Sequence, residues 1–370
     1  VSALKRKRIL LLCPYPVGVA PGQRLKYEQY FGYFAERGYD LTVSPFFSRR
    51  AWAVLYRRGN WAEKAFWVLA GYARRVLDLA RLPFHDGAYV FLHATPFGGS
   101  LFEACVRALS RRMVYDIDDL VFLPQHSAQN GWISRLRRPG KIHYLMARAD
   151  HVITCTPFLD SYVKKLNPRT TDISSTIRTD VYQPANRYRN DRPLTIGWSG
   201  SHSTVKYVNL IAPALRALAR THNFRLKVIG AVGLEIPGIK VDCQPWTEAT
   251  EVADLSEFDV GIYPLPDEEW VHGKSGLKAL QYMALGIPTV ATAIGANFRV
   301  IEHGESGFLV NESEEWRSAL ARLLDDPALR ERVGAKARDR VVSTYSVLAN
   351  EPRYGAVLDE VFRGEATCAP

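Results

Sequence analysis

At 370 residues the chain exceeds one typical domain, and 47% hydrophobic with 23% charged residues excludes a disordered polymer, so two α/β domains are expected. The formal charge of +10 is unevenly spread: residues 1–190 hold 29 basic against 14 acidic residues (+15), and residues 191–370 hold 19 against 24 (−5). That asymmetry points to an anionic partner for the front half alone, either a nucleic acid or an acidic membrane surface.

Lys5-Arg6-Lys7-Arg8 leads straight into a short strand-like run and Pro14. With no long apolar h-region there, the start does not read as a signal peptide, and a cytoplasmic location is expected. Arg8–Cys13 predicts a buried strand, followed by the loop Pro14–Gln23 and a helix to about Arg37, which Gly38 ends before a second strand at Tyr39–Phe46. Further strands are predicted at Ala88–His93, Met113–Asp118, His151–Cys155 and Thr171–Ser175, with helices between them. The longest apolar runs, such as Ile9–Cys13, fall far short of the ~18–20 residues that span a bilayer. Gln183–Pro193 is polar, charged and Pro-flanked, as a linker should be, and after it the alternation restarts. Strands follow at Leu194–Ser199, Arg225–Ile229, Asp259–Tyr263 and Pro288–Thr292, with a helix over Thr204–Thr221. The implied division is a first domain over 1–183, a linker over 184–193, a second domain over 194–345 and a C-terminal helix over 346–370 that crosses back to the first. Strand–helix alternation at this spacing implies parallel sheets, hence two Rossmann-like halves with ligands in a cleft at the strands' carboxyl ends. Cys13, Cys105, Cys155, Cys243 and Cys368 lack CxxC spacing and suggest neither a disulfide frame nor a zinc site.

Chemistry is densest over Gly261–Leu309. A strand and polar loop lead to a helix start at Gly276-Leu277-Lys278, with Gly273 and Lys274 just before it. Free N–H groups at such a start, with lysines beside them, suit a phosphate; glycines for a tight turn and lysines on a wet surface are the plainer alternative. The loop Gly200-Ser201-His202 follows a strand and precedes Lys206. The first βα loop, PYPVGVAPGQR, is shaped by glycines and prolines, with Gly22 and Arg24 at its end. In Asp116-Ile117-Asp118-Asp119, strand alternation puts Asp116 and Asp118 on one face at a strand's carboxyl end. His93 ends the strand AYVFLH, either at the cleft or as a structural histidine.

The run from Gly273 to Pro288, GKSGLKALQYMALGIP, together with IGWSGSHSTVKYVNL at 196–210, resembles family 4 of the retaining glycosyltransferases. A bacterial branch with a GKxx(F/L)KxxQYMAxGxP signature is nearest. The resemblance implies the GT-B fold, two parallel sheets facing across a cleft. It also implies transfer of a sugar from a nucleoside diphosphate sugar to a hydroxyl acceptor, with neither metal nor cofactor. It places two family glutamates at Gly273 and Gln281; a glycine cannot replace a carboxylate, whereas Gln281 retains the capacity to bond a ribose hydroxyl. Lys206 matches a lysine that stabilises the departing diphosphate, the arginine usually paired with it being absent. Lys274 and Lys278 complete the cationic set, and Gly200, Ser201 and His202 line the donor side. Gly22, Arg24, His93 and Asp116 fall to the acceptor side, and Asp118 takes the place of an active-site histidine.

Arg49–Arg81 carries eight basic residues against two acidic ones, interleaved with tryptophans such as Trp52, Trp61 and Trp67. That composition suits the headgroup region of an anionic membrane, and a lipid-linked glycan acceptor in surface polysaccharide or lipopolysaccharide assembly follows. A helix packing its aromatics inward is the alternative. Two rival functions stand beside transfer. One is a basic nucleic-acid-binding protein, although no nucleic-acid motif is present. The other is a non-catalytic relic, given Gly273 and the missing arginine.

Overall fold

A computed structural model describes residues 6–55, 57, 59–123, 139–185 and 193–364. The linker expected at 184–193 thus lies largely outside the described residues, as do Arg58 and Cys368. The chain divides into two units, residues 1–175 with 350–370, and residues 176–349.

The first unit holds strands β1 (Lys7–Cys13), β2 (Tyr39–Pro45), β3 (Gly87–Phe91), β4 (Met113–Asp116), β5 (His151–Thr154) and β6 (Thr170–Asp172). They form one parallel sheet in the order β2-β1-β3-β4-β5-β6. Every residue of β3, β4 and β5 is buried, as befits strands covered by helices on both faces. Leu10, Leu12, Val90, Tyr115, Leu145 and Val152 belong to one core of this unit. The C-terminal helix Val347–Arg363 belongs to this unit from Asn350 on. Its Tyr354 packs at 4.3 Å from Tyr30, and buried Asp359 accepts a bond from Tyr39 and pairs with Arg37 and Arg363.

The second unit holds β7 (Leu194–Ser199), β8 (Phe224–Ile229), β9 (Val241–Gln244), β10 (Val260–Tyr263), β11 (Thr289–Thr292) and β12 (Phe308–Val310). These too are all parallel, in the order β12-β11-β10-β7-β8-β9. Apolar clusters around Trp198, Leu215 and Trp316, and around Phe258, Tyr282 and Ile287, form its core. The outer strands β9 and β12 are not among the predicted ones; β9, Val-Asp-Cys-Gln, is only partly buried and carries no apolar run. The helix expected over Thr204–Thr221 is a 3-10 turn, Val205–Ile211, followed by an α-helix, Ala212–Leu218.

Candidate active site

In the second sheet the chain runs outward from β7 to β8 and β9, then returns to the other side of β7 as β10. Such a reversal opens a crevice at the carboxyl ends of the two central strands, where open α/β sheets bind ligands. Ser199 and Tyr263 mark those ends. The Ser199 amide donates to the Tyr282 hydroxyl at 2.7 Å, fixing where β7 stops. At Gly200 a Cβ would meet the Trp198 ring at 2.4 Å and Lys278 Cε at 2.9 Å, so the backbone turns here only because it carries no side chain.

The helix Leu277–Ala284 begins at Gly276, whose φ of +77° favours glycine. One residue into that helix, half-buried Lys278 places its ammonium 5.8 Å from the Trp198 ring and 5.5 Å from the Tyr263 ring. Loss of solvent, then the charge of Lys274, pulls its pKa from 10.5 down to about 8. The Lys274 ammonium lies 5.5 Å from the Trp270 ring, Trp270 lies 5.8 Å from Tyr207, and the Lys206 ammonium lies 5.2 Å from Tyr207. Lys274 and Lys278, four residues apart, and Lys206 from a second segment thus lie beside four aromatic rings. Gly200, Ser201 and His202 sit beside them on a loop closed by its own hydroxyls, with the Ser201 amide donating to Thr204 Oγ1 at 3.1 Å. Ser201 and His202 are exposed.

Gln281 lies one helical turn beyond Lys278 but is buried. Its Nε2 donates to the Tyr182 hydroxyl at 3.0 Å and to Glu251 Oε1 at 3.1 Å, and Glu251 also accepts from Tyr182 and from Trp246 Nε1. The side chain that resemblance assigns to a ribose therefore has its amide N–H groups in an internal network. Gly273 is buried at the end of the Glu269–Gly273 turn.

In the first unit Asp116 and Asp118 part company. Strand β4 ends at Asp116, so the alternation that would align them does not reach Asp118. Asp116 is wholly buried, 2.5 Å from the Lys26 ammonium, and accepts a bond from the Tyr89 hydroxyl. Burial works against the Lys26 ammonium, and the charges of Asp116 and Asp118 with the Asp116 bond outweigh it, so its pKa is raised. Asp116 thus sits in the interior and not at a ligand. Asp118 is half-buried against the first βα loop, where a Cβ on Gly22 would lie 2.3 Å from Asp118 Oδ2. Arg24, on the Pro21–Arg24 turn, is half-buried too. The loop is braced by Gln23, which donates to the Tyr15 carbonyl and to Glu28 while accepting from the Tyr15 amide. His93 follows β3 and is half-buried. Among the described residues, no cluster of three or more His, Cys, Asp or Glu side chains could hold a metal ion.

Residues 193–326 match the family of glycosyl transferases group 1. Within the sequence, D-inositol 3-phosphate glycosyltransferase of Pseudarthrobacter chlorophenolicus is 32% identical over 135 residues, covering 36% of this chain and 31% of that one. The same-named enzyme of Arthrobacter sp. FB24 is 34% identical over 134 residues, covering 35% and 30%. The chain thus spans about a third of the length of these curated relatives. Among solved structures, a glycosyltransferase from Rickettsia africae superposes with a TM-score of 0.70 at 12% identity, covering 98% of this chain and 100% of that one. Sucrose-phosphate synthase of Thermosynechococcus elongatus gives 0.69 at 16% identity, covering 97% and 100%, and Anabaena HepE with UDP-glucose gives 0.67 at 14%, covering 96% and 100%. The fold is GT-B.

The group 1 match contains the lysine cluster and its rings. Sequence reading singled out the lysines but missed Trp198, Tyr207, Tyr263 and Trp270. A local signal existed for two of them, since Tyr207 adjoins Lys206 and Trp270 stands four residues before Lys274. Lys26 was also missed, because nothing near it in the sequence announces a partner ninety residues away.

The basic aromatic stretch divides in two. Trp52 packs at 5.0 Å from Tyr15, and Trp67 and Tyr72 pack on the Phe46–Phe47 cluster. On the helix Trp61–Arg81 the exposed large apolar side chains are Trp61, Phe66, Leu69, Val76 and Leu77, each 57–69% accessible. No helix among the described residues is long and apolar enough to cross a membrane.

Proposed function

We propose that the chain is a glycosyltransferase that moves a sugar from a nucleoside diphosphate sugar to a hydroxyl acceptor with retention of configuration. The observation that carries the reading is the gathering of Lys206, Lys274 and Lys278 at the crevice of the second sheet. In such a transfer the bond from the anomeric carbon to the diphosphate oxygen breaks, and the electron pair leaves with the diphosphate. The acceptor oxygen bonds to the same face of that carbon, and its proton passes to the departing phosphate. Positive charge fixed where the diphosphate becomes more negative lowers the barrier without reorganisation. The lysines supply that charge, so the reading needs no divalent metal and no cofactor. The UDP-glucose complex of Anabaena HepE supports a nucleotide sugar, and the inositol phosphate glycosyltransferases support a hydroxyl acceptor.

The acceptor assigned is a lipid-linked glycan at the inner face of the cell membrane, in surface polysaccharide or lipopolysaccharide assembly. Its support is the set of exposed apolar side chains on the Trp61–Arg81 helix, in a front half that carries +15. Trp52 and Trp67, expected at the lipid, face inward, and Phe66 and Leu69 take their place beside Trp61. Thermal-shift screening against UDP-, GDP-, dTDP- and CMP-sugars tests the reading, because a ligand that binds only the native state raises its stability. Stabilisation by one nucleoside diphosphate class is the expected result; none by any would refute it.

A further inference from the structure

At its amino-terminal edge the first sheet borders a cavity of about 770 Å³. The cavity lies where the helices Leu101–Leu109, Gly140–Arg148 and Pro157–Lys164 end and the chain enters β4, β5 and β6. Those strands begin here, so this is the opposite end of the sheet from the carboxyl ends, where open α/β sheets bind their substrates. Among the described residues, the cations lining it are Arg107, Arg148 and Arg169, and the one lining carboxylate is Asp150. Three guanidinium groups against one carboxylate leave the lining at +2.

Helix ends bring unbonded carbonyls and a partial negative charge, which cations offset. Arg107 fills that role: its Nε donates to the Arg148 carbonyl at 2.8 Å and its Nη1 to the Ser110 carbonyl at 3.3 Å. Asn167 Nδ2 serves the carbonyls of Met146 and Ala149 at 3.0 and 2.8 Å. Asp150 is engaged as well. Its Oδ2 accepts the Met113 amide at 2.7 Å, and its Oδ1 lies 3.5 Å from Arg107 and 3.4 Å from Arg112. These carbonyls and the carboxylate are thus satisfied without the side chains of Arg148 and Arg169. Both of these arginines are exposed, and neither guanidinium makes a hydrogen bond or an ion pair among the described residues.

We propose that this cavity binds a phosphorylated solute, with the phosphate held by Arg148 and Arg169 and the body of the ligand against Tyr144 and Leu166, which also line it. A phosphate monoester carries close to two negative charges at neutral pH, which matches the lining. A guanidinium fork bonds two phosphate oxygens at once, whereas an ammonium meets them as a point charge, and the lining holds no lysine. The volume falls within the roughly 300–1,000 Å³ of small-molecule sites, which favours a solute over a flat leaflet or a duplex. All of these residues belong to the first unit, so the assignment is independent of the donor reading of the second.

Calorimetry on the full chain tests this with inorganic phosphate and glycerol 3-phosphate as probes. Both should bind the wild type, and Arg148→Gln combined with Arg169→Gln should weaken each at least tenfold with the melting temperature unchanged. If that pair fails to fold, each single substitution should show the loss by itself. Arg169→Lys keeps the charge without the fork, so its affinity should fall between wild type and the pair. Lys206→Ala combined with Lys274→Ala, which strips cations from the second unit, should leave a phosphate-binding event of wild-type affinity. His151 reports on the site: burial lowers its pKa, Glu360 raises it, and the charge of Arg169 lowers it further. Bound phosphate should therefore raise the His151 pKa in 13C-imidazole spectra of the wild type and leave it in place in Arg169→Gln. No binding of either probe at millimolar concentration, affinity untouched by the arginine pair, or affinity lost with the lysines alone overturns the proposal. So does a wild type that binds only anionic vesicles or a DNA duplex through these arginines.

Discussion

Replacing Lys278 with methionine removes the ammonium while keeping most of the side chain's apolar bulk, and it should make the protein more stable and less able to bind nucleotide. A pKa lowered from 10.5 to about 8 means that folding disfavours this ammonium. At roughly 1.4 kcal/mol per pH unit the penalty is about 3 kcal/mol at neutral pH. The contacts with the Trp198 and Tyr263 rings offset roughly 1–2 kcal/mol of it, and these are lost with the charge. Lys278→Met should therefore gain about 1–2 kcal/mol, raising the melting temperature by several degrees for a unit of this size. The pH dependence has a definite sign. The folded pKa lies below the unfolded one, so the penalty is complete below about pH 8 and fades as pH rises to 10.5. Variant and wild type should thus converge in alkali. A bound diphosphate restores the proton, so calorimetry near pH 8 in buffers of different ionisation enthalpy should show proton uptake by the wild type alone. UDP affinity should fall at least tenfold in the variant. A Lys278→Met protein that melts lower than wild type at neutral pH and binds UDP equally well would refute this reasoning.

Lys206→Ala and Lys274→Ala should each keep the fold and lower turnover about a hundredfold, the rate equivalent of losing ~2–4 kcal/mol of charge stabilisation. Wild-type kinetics in both would place these lysines outside the reaction. Asp118→Asn should reduce transfer more than it reduces nucleotide affinity in paired kinetic and calorimetric measurements; equal loss in both would make Asp118 structural. Transfer should survive EDTA, and a loss that manganese restores would overturn the lysine-only account. Liposomes containing phosphatidylglycerol should co-sediment the protein and release it as salt rises, since each engaged cation contributes roughly 1 kcal/mol within a Debye length. Trp61→Ser combined with Phe66→Ser and Leu69→Ser should weaken that binding, and sedimentation equal to wild type would remove this helix from the account.

What the sequence determined by itself is what depends on near neighbours along the chain. Alternating apolar runs and helical stretches marked ten of the twelve strands, because most buried parallel strands need a continuous apolar run whatever lies beside them. A glycine before a lysine-bearing helix was readable for the same reason, and the structure puts Gly276 at a positive φ there. Tertiary structure alone decided where isolated charges and rings ended up. Asp116 looked like the open carboxylate of a pair until Lys26, ninety residues earlier, was found buried against it. Gln281 became part of a network through Glu251 and Tyr182, partners 30 and 99 residues away. Trp198 and Tyr263 reach Lys278 from the ends of two strands, and the approach of Tyr207 to Trp270 links Lys206 to Lys274 across 63 residues of chain. Leu92, just past β3, has a φ of +59° that no sequence signature announces, since glycine or asparagine would be expected there. Arg75 and Lys141, from distant helices, bond the Ala94 and Thr95 carbonyls that follow it, and no local preference encodes a strain that only such contacts can sustain.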